Sequence, residues 1–162
     1  MADLDELYQS IILDHNRRPR NPGPPAAHDR VSHGRNPLCG DEVTVWLALD
    51  GDVIADVRFT ATGCAISKAS ASLMTEAVKG KRTAEALALF DRVHELVTGK
   101  GDAMAARAEL GQIAALGGVS RFPVRVKCAS LGWHALRSAL TDGVVASTEH
   151  DGTGTTRPVG AA

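Results

Sequence analysis

The 162-residue sequence has little of what marks several specialised classes of protein. Lysine and arginine total 18 against 19 for aspartate and glutamate, so the net charge of −1 provides no overall field that would attract nucleic acid or an anionic membrane. No apolar run approaches the roughly 18 residues of a membrane span. The acidic residues 1–6 also lack the basic start of a signal peptide. We therefore expect a cytoplasmic protein with neither nucleic acid nor membrane as a partner.

Cysteine and aromatic residues are also scarce. Three cysteines cannot all pair within one chain, and cytosolic thiols normally stay reduced, so these three are expected to be free, buried, reactive or bound to a metal. Aromatic residues make up only 4% of the chain. None of them lies beside the arginine cluster of residues 17–20 to stack on bases, which favours a solvated or partner-facing loop.

The remaining composition is that of a folded globular protein. Apolar residues make up 44% and charged residues 23%, which is ordinary usage for a single domain of this length. The last residues are small and polar, with few groups to bury. We therefore predict one domain over residues 1–146 and a disordered tail over residues 147–162.

A β-hairpin is predicted by the alternation of apolar and polar residues on both sides of Asp50-Gly51-Asp52. A three-residue loop is favoured over a two-residue turn. It places Val53, Ala55, Val57 and Phe59 on the same face as Val43, Val45 and Leu47. A third strand is expected within residues 27–34, because an isolated hairpin is only marginally stable.

Helices are predicted where apolar residues recur every three or four positions, at residues 4–15, 66–78, 83–98 and 128–139. Residues 122–126 are predicted to be extended. The pattern does not resolve residues 100–120.

Each cysteine falls at a junction between predicted elements. Cys39 lies in the turn before the first hairpin strand, Cys64 joins the second strand to a helix, and Cys128 opens the last helix. Three junctions can meet at one end of a sheet. A helix N-terminus carries partial positive charge, which favours the thiolate form of Cys64 and Cys128.

A metal site is one interpretation of these junctions. Asp41 follows Cys39 by two residues, with a glycine between them, so both side chains could reach one ion. Three cysteines and one aspartate complete the four ligands of tetrahedral zinc. Zinc with these four anionic ligands carries a charge of −2, and Arg125 and Lys127, which flank Cys128, are placed to balance it.

Simpler interpretations remain open at the same residues. Free cysteine is usually a small buried core residue, Asp41 could cap its turn, and Arg125 and Lys127 could face solvent. The histidines share no ligand spacing with a cysteine, so each is expected to be hydrogen-bonded or exposed; His33 is the least certain. A cysteine hydrolase is disfavoured for the same reason.

The combined motifs resemble the IscU-like family and, within it, the SufU-type zinc-dependent sulfurtransferases. The resemblance runs from about Leu4 to Leu140. Its motifs are Leu7-Tyr8, Ile12-Leu13-Asp14-His15, Pro19-Arg20-Asn21-Pro22-Gly23, Asn36-Pro37-Leu38-Cys39-Gly40-Asp41, Gly63-Cys64-Ala65-Ile66-Ser67 and Arg125-Val126-Lys127-Cys128-Ala129. It implies an α+β fold, in which helices cover a small three-stranded antiparallel sheet and the three cysteines and the aspartate gather at one end.

The residue before the last cysteine separates two branches of this family. Scaffold-type members have a histidine there, whereas this chain has Lys127, and its Cys64 to Cys128 stretch is longer, as in the SufU branch. That resemblance implies a Zn²⁺ site formed by Cys39, Asp41, Cys64 and Cys128.

In the SufU branch, Cys39 would accept sulfur from the persulfide of a pyridoxal-phosphate cysteine desulfurase of the SufS type. A downstream cluster scaffold would then receive the sulfur. Arg125 matches the pattern of the branch, which implies a role in docking the desulfurase. Two alternatives remain: an iron–sulfur cluster scaffold that uses the same cysteines, and a binding module with a structural zinc.

Overall fold

Helices and strands fill most of the chain. The computed structural model describes residues 3–37, 40–100, 109–141, 144–147 and 157–158. In chain order the elements are α1 (Asp3–Arg17), β1 (Arg30–Asn36), β2 (Asp41–Asp50), β3 (Val53–Thr62), α2 (Ala65–Val78), α3 (Thr83–Val97), a 3₁₀ helix (Gly111–Arg121), α4 (Pro123–Thr141), β4 (Val144–Ser147) and β5 (Arg157–Pro158). The described helices include none that is both long and apolar enough to cross a membrane.

The sheet confirms the predicted α+β class. Strands β1, β2 and β3 form the expected antiparallel sheet, and β4 and β5 extend it to the order β3-β2-β1-β4-β5. Strand β4 lies parallel to β1, an addition that the sequence pattern did not predict. Most of the tail over residues 147–162 lies outside the described residues; there, Ser147 ends β4 and Arg157–Pro158 forms β5.

The β2–β3 hairpin corrects the predicted three-residue loop, Asp50 to Asp52. Its turn is residues 51–52, and Ala55 forms a bulge without a partner in β2. The extra residue shifts the side-chain alternation of β3, so Val57 and Phe59 face the core as predicted, while Ile54 is buried in place of the exposed Ala55. A two-residue turn with a bulge at Ala55 and a three-residue loop both place Val57 and Phe59 on the buried face of β3. The alternation of apolar residues therefore could not distinguish the two arrangements.

The last helix corrects a second prediction. Residues 122–126 are not an extended segment, because α4 already begins at Pro123. Proline suits the first position of a helix, because the N–H that it lacks has no helical partner there. Cys128 therefore lies in the second turn of α4. A helix N-terminus favours the thiolate at Cys64, which caps α2, and the same expectation for Cys128 is wrong.

The proline-rich connector after α1 is fixed to the body of the protein. The main-chain N–H of Phe59 donates to the carbonyl of Asn21 at 3.1 Å, and the N–H of Gly23 donates to the carbonyl of Phe59 at 2.8 Å. The N–H of Arg20 also donates to Ser72 Oγ at 2.8 Å. These hydrogen bonds hold the connector alongside β3 and against α2.

The arginines on this connector differ from one another. Arg17 and Arg18 are exposed, as expected of a solvated loop. Arg20 instead pairs with Asp14 at 2.8 Å, which lowers the pKa of that carboxyl through a hydrogen bond from the guanidinium. Arg20 therefore helps to fold the connector back on α1.

Candidate metal centre

Asp41 and Cys64 meet where β2 begins and α2 is capped. The main-chain N–H of Cys64 donates to Asp41 Oδ1 at 2.8 Å, and Cys64 Sγ lies 3.6 Å from Asp41 Oδ2. Gly63 permits this approach. It has a φ of +122°, and a Cβ at this position would lie 2.0 Å from Asp41 Oδ1 and 2.8 Å from Asp41 Cα.

Cys128 approaches this pair from α4. Its side chain is buried, with 3% exposure. One ligand atom each of Asp41, Cys64 and Cys128 can be chosen so that all three lie within 4.8 Å of one another. These residues come from the start of β2, the N-cap of α2 and the second turn of α4, and they converge although they are up to 87 positions apart in the chain.

Cys39, the fourth predicted ligand and the predicted sulfur acceptor, lies outside the described residues. The ends of its loop are described. Asn36 and Asp41 are cross-strand partners in the β1–β2 pair, and the N–H of Gly40 donates to the carbonyl of Asn36 at 2.9 Å. The short connection that carries Cys39 therefore starts and ends at the cluster.

The pKa values of the two described thiols are shifted in opposite directions. The pKa of Cys64 is lowered to about 6, first by a hydrogen bond from Cys128 and also by the main-chain N–H of Ser67. The pKa of Cys128 is raised, because its thiol hydrogen-bonds to Cys64, is desolvated and lies near the negative charge of Cys64 and Asp41. By itself the site thus favours a thiolate at Cys64 and a protonated thiol at Cys128.

The donor set fits zinc. Zinc accepts thiolate sulfur at about 2.3 Å and carboxylate oxygen at about 2.0–2.2 Å, which places two tetrahedral ligands roughly 3.5–3.8 Å apart. The separation of 3.6 Å between Cys64 Sγ and Asp41 Oδ2 falls in that range. Two sulfurs and one oxygen leave one tetrahedral position for a further ligand.

A cleft of about 570 Å³ lies beside the cysteines. Its lining residues are Cys64, Arg121, Phe122, Pro123, Val124, Arg125 and Cys128. Phe122 and Val124 are 50% and 58% exposed, so the cleft offers apolar surface beside the cysteines. The guanidinium carbon of Arg125 lies 6.0 Å from the centroid of the Phe122 ring. Arg125 thus lies at the cleft, and Lys127 directly precedes Cys128 on α4.

Within the described parts of the chain, no histidine belongs to this cluster. His15 is buried and bonded through its two ring nitrogens to Ser72 Oγ at 2.8 Å and Gln112 Oε1 at 3.2 Å. His33 Nδ1 lies 2.9 Å from the hydroxyl of Thr44. These contacts show hydrogen-bonded structural histidines.

His134 is expected to make the fold less stable in acid. It lies against His94 and Phe90, and desolvation first, then the charges of His94 and Arg137, lower its pKa from 6.5 to about 4. The unfolded chain therefore binds a proton more readily between these two values. Stability should fall as the pH drops from about 6.5 towards 4, with no effect above that window.

Replacing His134 by glutamine should remove this contribution. Between pH 7 and pH 4, we expect the free energy of unfolding to fall by roughly 1–3 kcal/mol less in the variant than in the wild type. Urea unfolding at the two pH values measures the difference. Equal losses in both proteins would show that His134 does not set the acid sensitivity.

Known proteins resemble this chain in sequence and in fold. Residues 7–129 match the model of the NifU-like N terminal domain family. The chain belongs to this family. It is 44% identical over 142 residues to the zinc-dependent sulfurtransferase SufU of Bacillus subtilis, an alignment covering 86% of this chain and 92% of the relative.

Other family members carry a different description. The chain is 41% identical over 140 residues to the iron–sulfur cluster assembly scaffold protein IscU of Streptococcus pyogenes, covering 86% of each chain. It also resembles the solved structure of a candidate cluster assembly scaffold for the SUF system from Fervidobacterium islandicum, with a TM-score of 0.76 and 37% identity over 84% of this chain and 98% of that one. The family thus works in iron–sulfur cluster assembly.

Two residues at the centre were not assigned a role from the sequence. Gly63 and Asn36 both lie within the family motifs, but their effect depends on which distant group approaches them. Gly63 leaves space for Asp41, and Asn36 Nδ2 lies 3.8 Å from Cys128 Sγ. The glycine before Cys64 was the one available signal.

Proposed function

We propose that the chain is a zinc-dependent sulfurtransferase in iron–sulfur cluster assembly. It accepts sulfur from the persulfide of a pyridoxal-phosphate cysteine desulfurase of the SufS type and passes it towards a downstream cluster scaffold. The convergence of Asp41, Cys64 and Cys128 within 4.8 Å carries this proposal. The relative described as a zinc-dependent sulfurtransferase supports it. The same proposal places the chain in the cytoplasm.

In this proposal Cys39, Asp41, Cys64 and Cys128 hold Zn²⁺. The bound ion would keep the thiols deprotonated and lower their nucleophilicity, which protects them from oxidation. Asp41 suits a site that must open, because a carboxylate is a less typical zinc ligand than thiolate or imidazole. The hydrogen bond from the Cys64 N–H keeps this carboxylate in place.

Cys39 is the sulfur acceptor in this proposal. Its thiolate attacks the outer sulfur of the desulfurase persulfide, and a new sulfur–sulfur bond forms on Cys39. The sulfur–sulfur bond of the donor breaks, and its electron pair leaves on the thiolate of the desulfurase cysteine. Oxidation states balance without an added oxidant. Since Asp41 is only two residues from Cys39, the Cα atoms of these two residues can be at most roughly 7 Å apart.

The cleft provides a face for the desulfurase. Phe122 and Val124 offer exposed apolar surface beside the cysteines, and Arg125 adds a positive charge at the same rim. We assign Arg125 to docking and to balancing the charge of the ligands. Lys127 supplies a second positive charge next to Cys128.

A cluster scaffold is the second candidate function. Relatives from Streptococcus pyogenes and Thermotoga maritima are described as scaffold proteins, and cysteine thiolates are the usual ligands of iron–sulfur clusters. Lys127 favours the transferase, because scaffold-type members have a histidine at that position and the SufU branch, which this chain resembles, does not.

Desulfurase turnover with and without zinc separates the functions. We expect the zinc-loaded chain to raise the rate of alanine formation from cysteine and the zinc-free chain to leave it unchanged. A non-catalytic zinc module would give no stimulation in either state. A chain that gives no stimulation but holds a transferable cluster after anaerobic reconstitution would be a scaffold, and the transferase proposal would be wrong.

A further inference from the structure

Each described ligand of the candidate metal centre accepts a hydrogen bond from a nitrogen. Asp41 Oδ1 accepts from the main-chain N–H of Cys64 at 2.8 Å, and Cys64 Sγ accepts from the main-chain N–H of Ser67 at 3.4 Å. Cys128 Sγ accepts from the side-chain amide of Asn36 at 3.8 Å. Of these three donors, only Asn36 donates through its side chain, so it can be removed by a substitution that leaves the main chain unchanged.

The burial of Asn36 carries a cost that packing does not explain. The residue is 1% exposed, and its Oδ1 is buried without a hydrogen-bond partner. An unsatisfied buried polar atom costs about 1–3 kcal/mol, which an apolar residue of similar size would avoid. What an asparagine offers in return for this cost is its side-chain N–H group, which donates to the sulfur of Cys128.

A second buried polar atom without a partner lies beside the other cysteine, on Ser67. Its main-chain N–H donates to Cys64 Sγ, while its own Oγ is buried without a partner. The third such atom among the described residues belongs to Asp56, which is ion-paired with Lys79 at 3.3 Å. Among the described residues, the two such atoms that also have no ion pair therefore lie on residues that donate to the cysteine sulfurs.

Asn36 also joins two parts of the site. Its carbonyl accepts from the N–H of Gly40 at 2.9 Å and closes the base of the loop that carries Cys39. Its side chain reaches α4, 92 positions away in the sequence. One residue therefore links the Cys39 loop to Cys128.

We propose that Asn36 is a positioning residue for zinc, whose amide holds Cys128 Sγ in the orientation and electrostatic setting that the metal requires. This inference depends on the zinc site of the proposed function, and it adds a residue outside the four ligands. Hydrogen bonds to ligands typically change metal affinity 10–100-fold when they are removed.

The test compares zinc binding by the full-length chain with that of three variants. N36A removes the amide, N36D keeps its shape without the donor, and N21A removes an asparagine bond to Thr75 away from the site. Competition with a chromophoric chelator should show zinc affinity about 10–100-fold weaker in N36A and weaker still in N36D. N21A should bind zinc like the wild type.

A second readout separates positioning from simple destabilisation. In Co²⁺-loaded protein the sulfur-to-cobalt charge-transfer band should change in energy or intensity in N36A and stay unchanged in N21A. Should N36A not fold, N36S serves in its place, because its hydroxyl is a weaker and shorter donor.

The outcomes also separate this inference from the proposed function. Equal zinc affinity and an unchanged cobalt band in wild type and N36A would overturn the role of Asn36 alone. Tight zinc binding by the wild type without desulfurase stimulation would contradict the transferase and leave the role of Asn36 standing on its own measurements. A wild type that binds no zinc would contradict both.

Discussion

Replacing Cys39 by serine should abolish stimulation of the desulfurase. Serine has the shape of cysteine, but its hydroxyl is not a thiolate and cannot take the outer sulfur of a persulfide. Mass spectrometry after incubation with desulfurase and cysteine should detect one added sulfur atom on the wild type and none on C39S. The expected rate of alanine formation with C39S is that of the desulfurase alone.

The fold of C39S decides between a transferase and a module with structural zinc. Structural zinc contributes folding energy directly, so a module of that kind would unfold when it loses a ligand. We expect C39S to keep the wild-type far-UV circular dichroism spectrum. C39D is the matched variant, because a carboxylate can bind zinc yet accepts no sulfur. Stimulation of the desulfurase by C39D would contradict the assignment of Cys39 as acceptor.

Replacing Gly63 by alanine should disrupt the metal centre and destabilise the fold. The new Cβ would lie 2.0 Å from Asp41 Oδ1 and 2.8 Å from Asp41 Cα, so the main chain must shift. The bond between the Cys64 N–H and Asp41 would break, leaving buried polar groups unpaired. We expect unfolding free energy to fall by roughly 2–5 kcal/mol and zinc affinity to fall more than about 100-fold.

Gly80 provides a matched control for Gly63. It also has a positive φ, +86°, but a Cβ added there would have no neighbouring atom within 4 Å. G80A should therefore show only the backbone strain of a left-handed residue, roughly 1–2 kcal/mol, with wild-type zinc affinity. Equal zinc affinities in G63A and G80A would show that the close contact with Asp41 is unimportant.

The sequence predicted the elements that depend on local periodicity. Helices α1, α2 and α3 and strands β2 and β3 follow the apolar repeats closely, because one buried face fixes the spacing of each. The start of α4 was missed because valines alternate in residues 122–126 and imitate a strand. Pro123 can also begin a helix or sit in an extended segment, so local signals did not decide between them.

The candidate site was predictable in its residue types and not in its supporting contacts. Asp41, Cys64 and Cys128 were chosen by chemistry and by resemblance, and the described geometry brings these three together. Asn36 could not be assigned, since its bond spans 92 positions and depends on how α4 packs on β1. The placement of Cys39 remains a prediction, because that residue lies outside the described part of the chain.

The connector bound along β3 has a consequence for association between molecules. A strand at the border of a sheet exposes N–H and C=O groups that can recruit a strand from another copy and start aggregation. Asn21 and Gly23 occupy both main-chain groups of Phe59 on that border. The proline-rich segment of the chain thus blocks one route to unwanted pairing between copies of the protein.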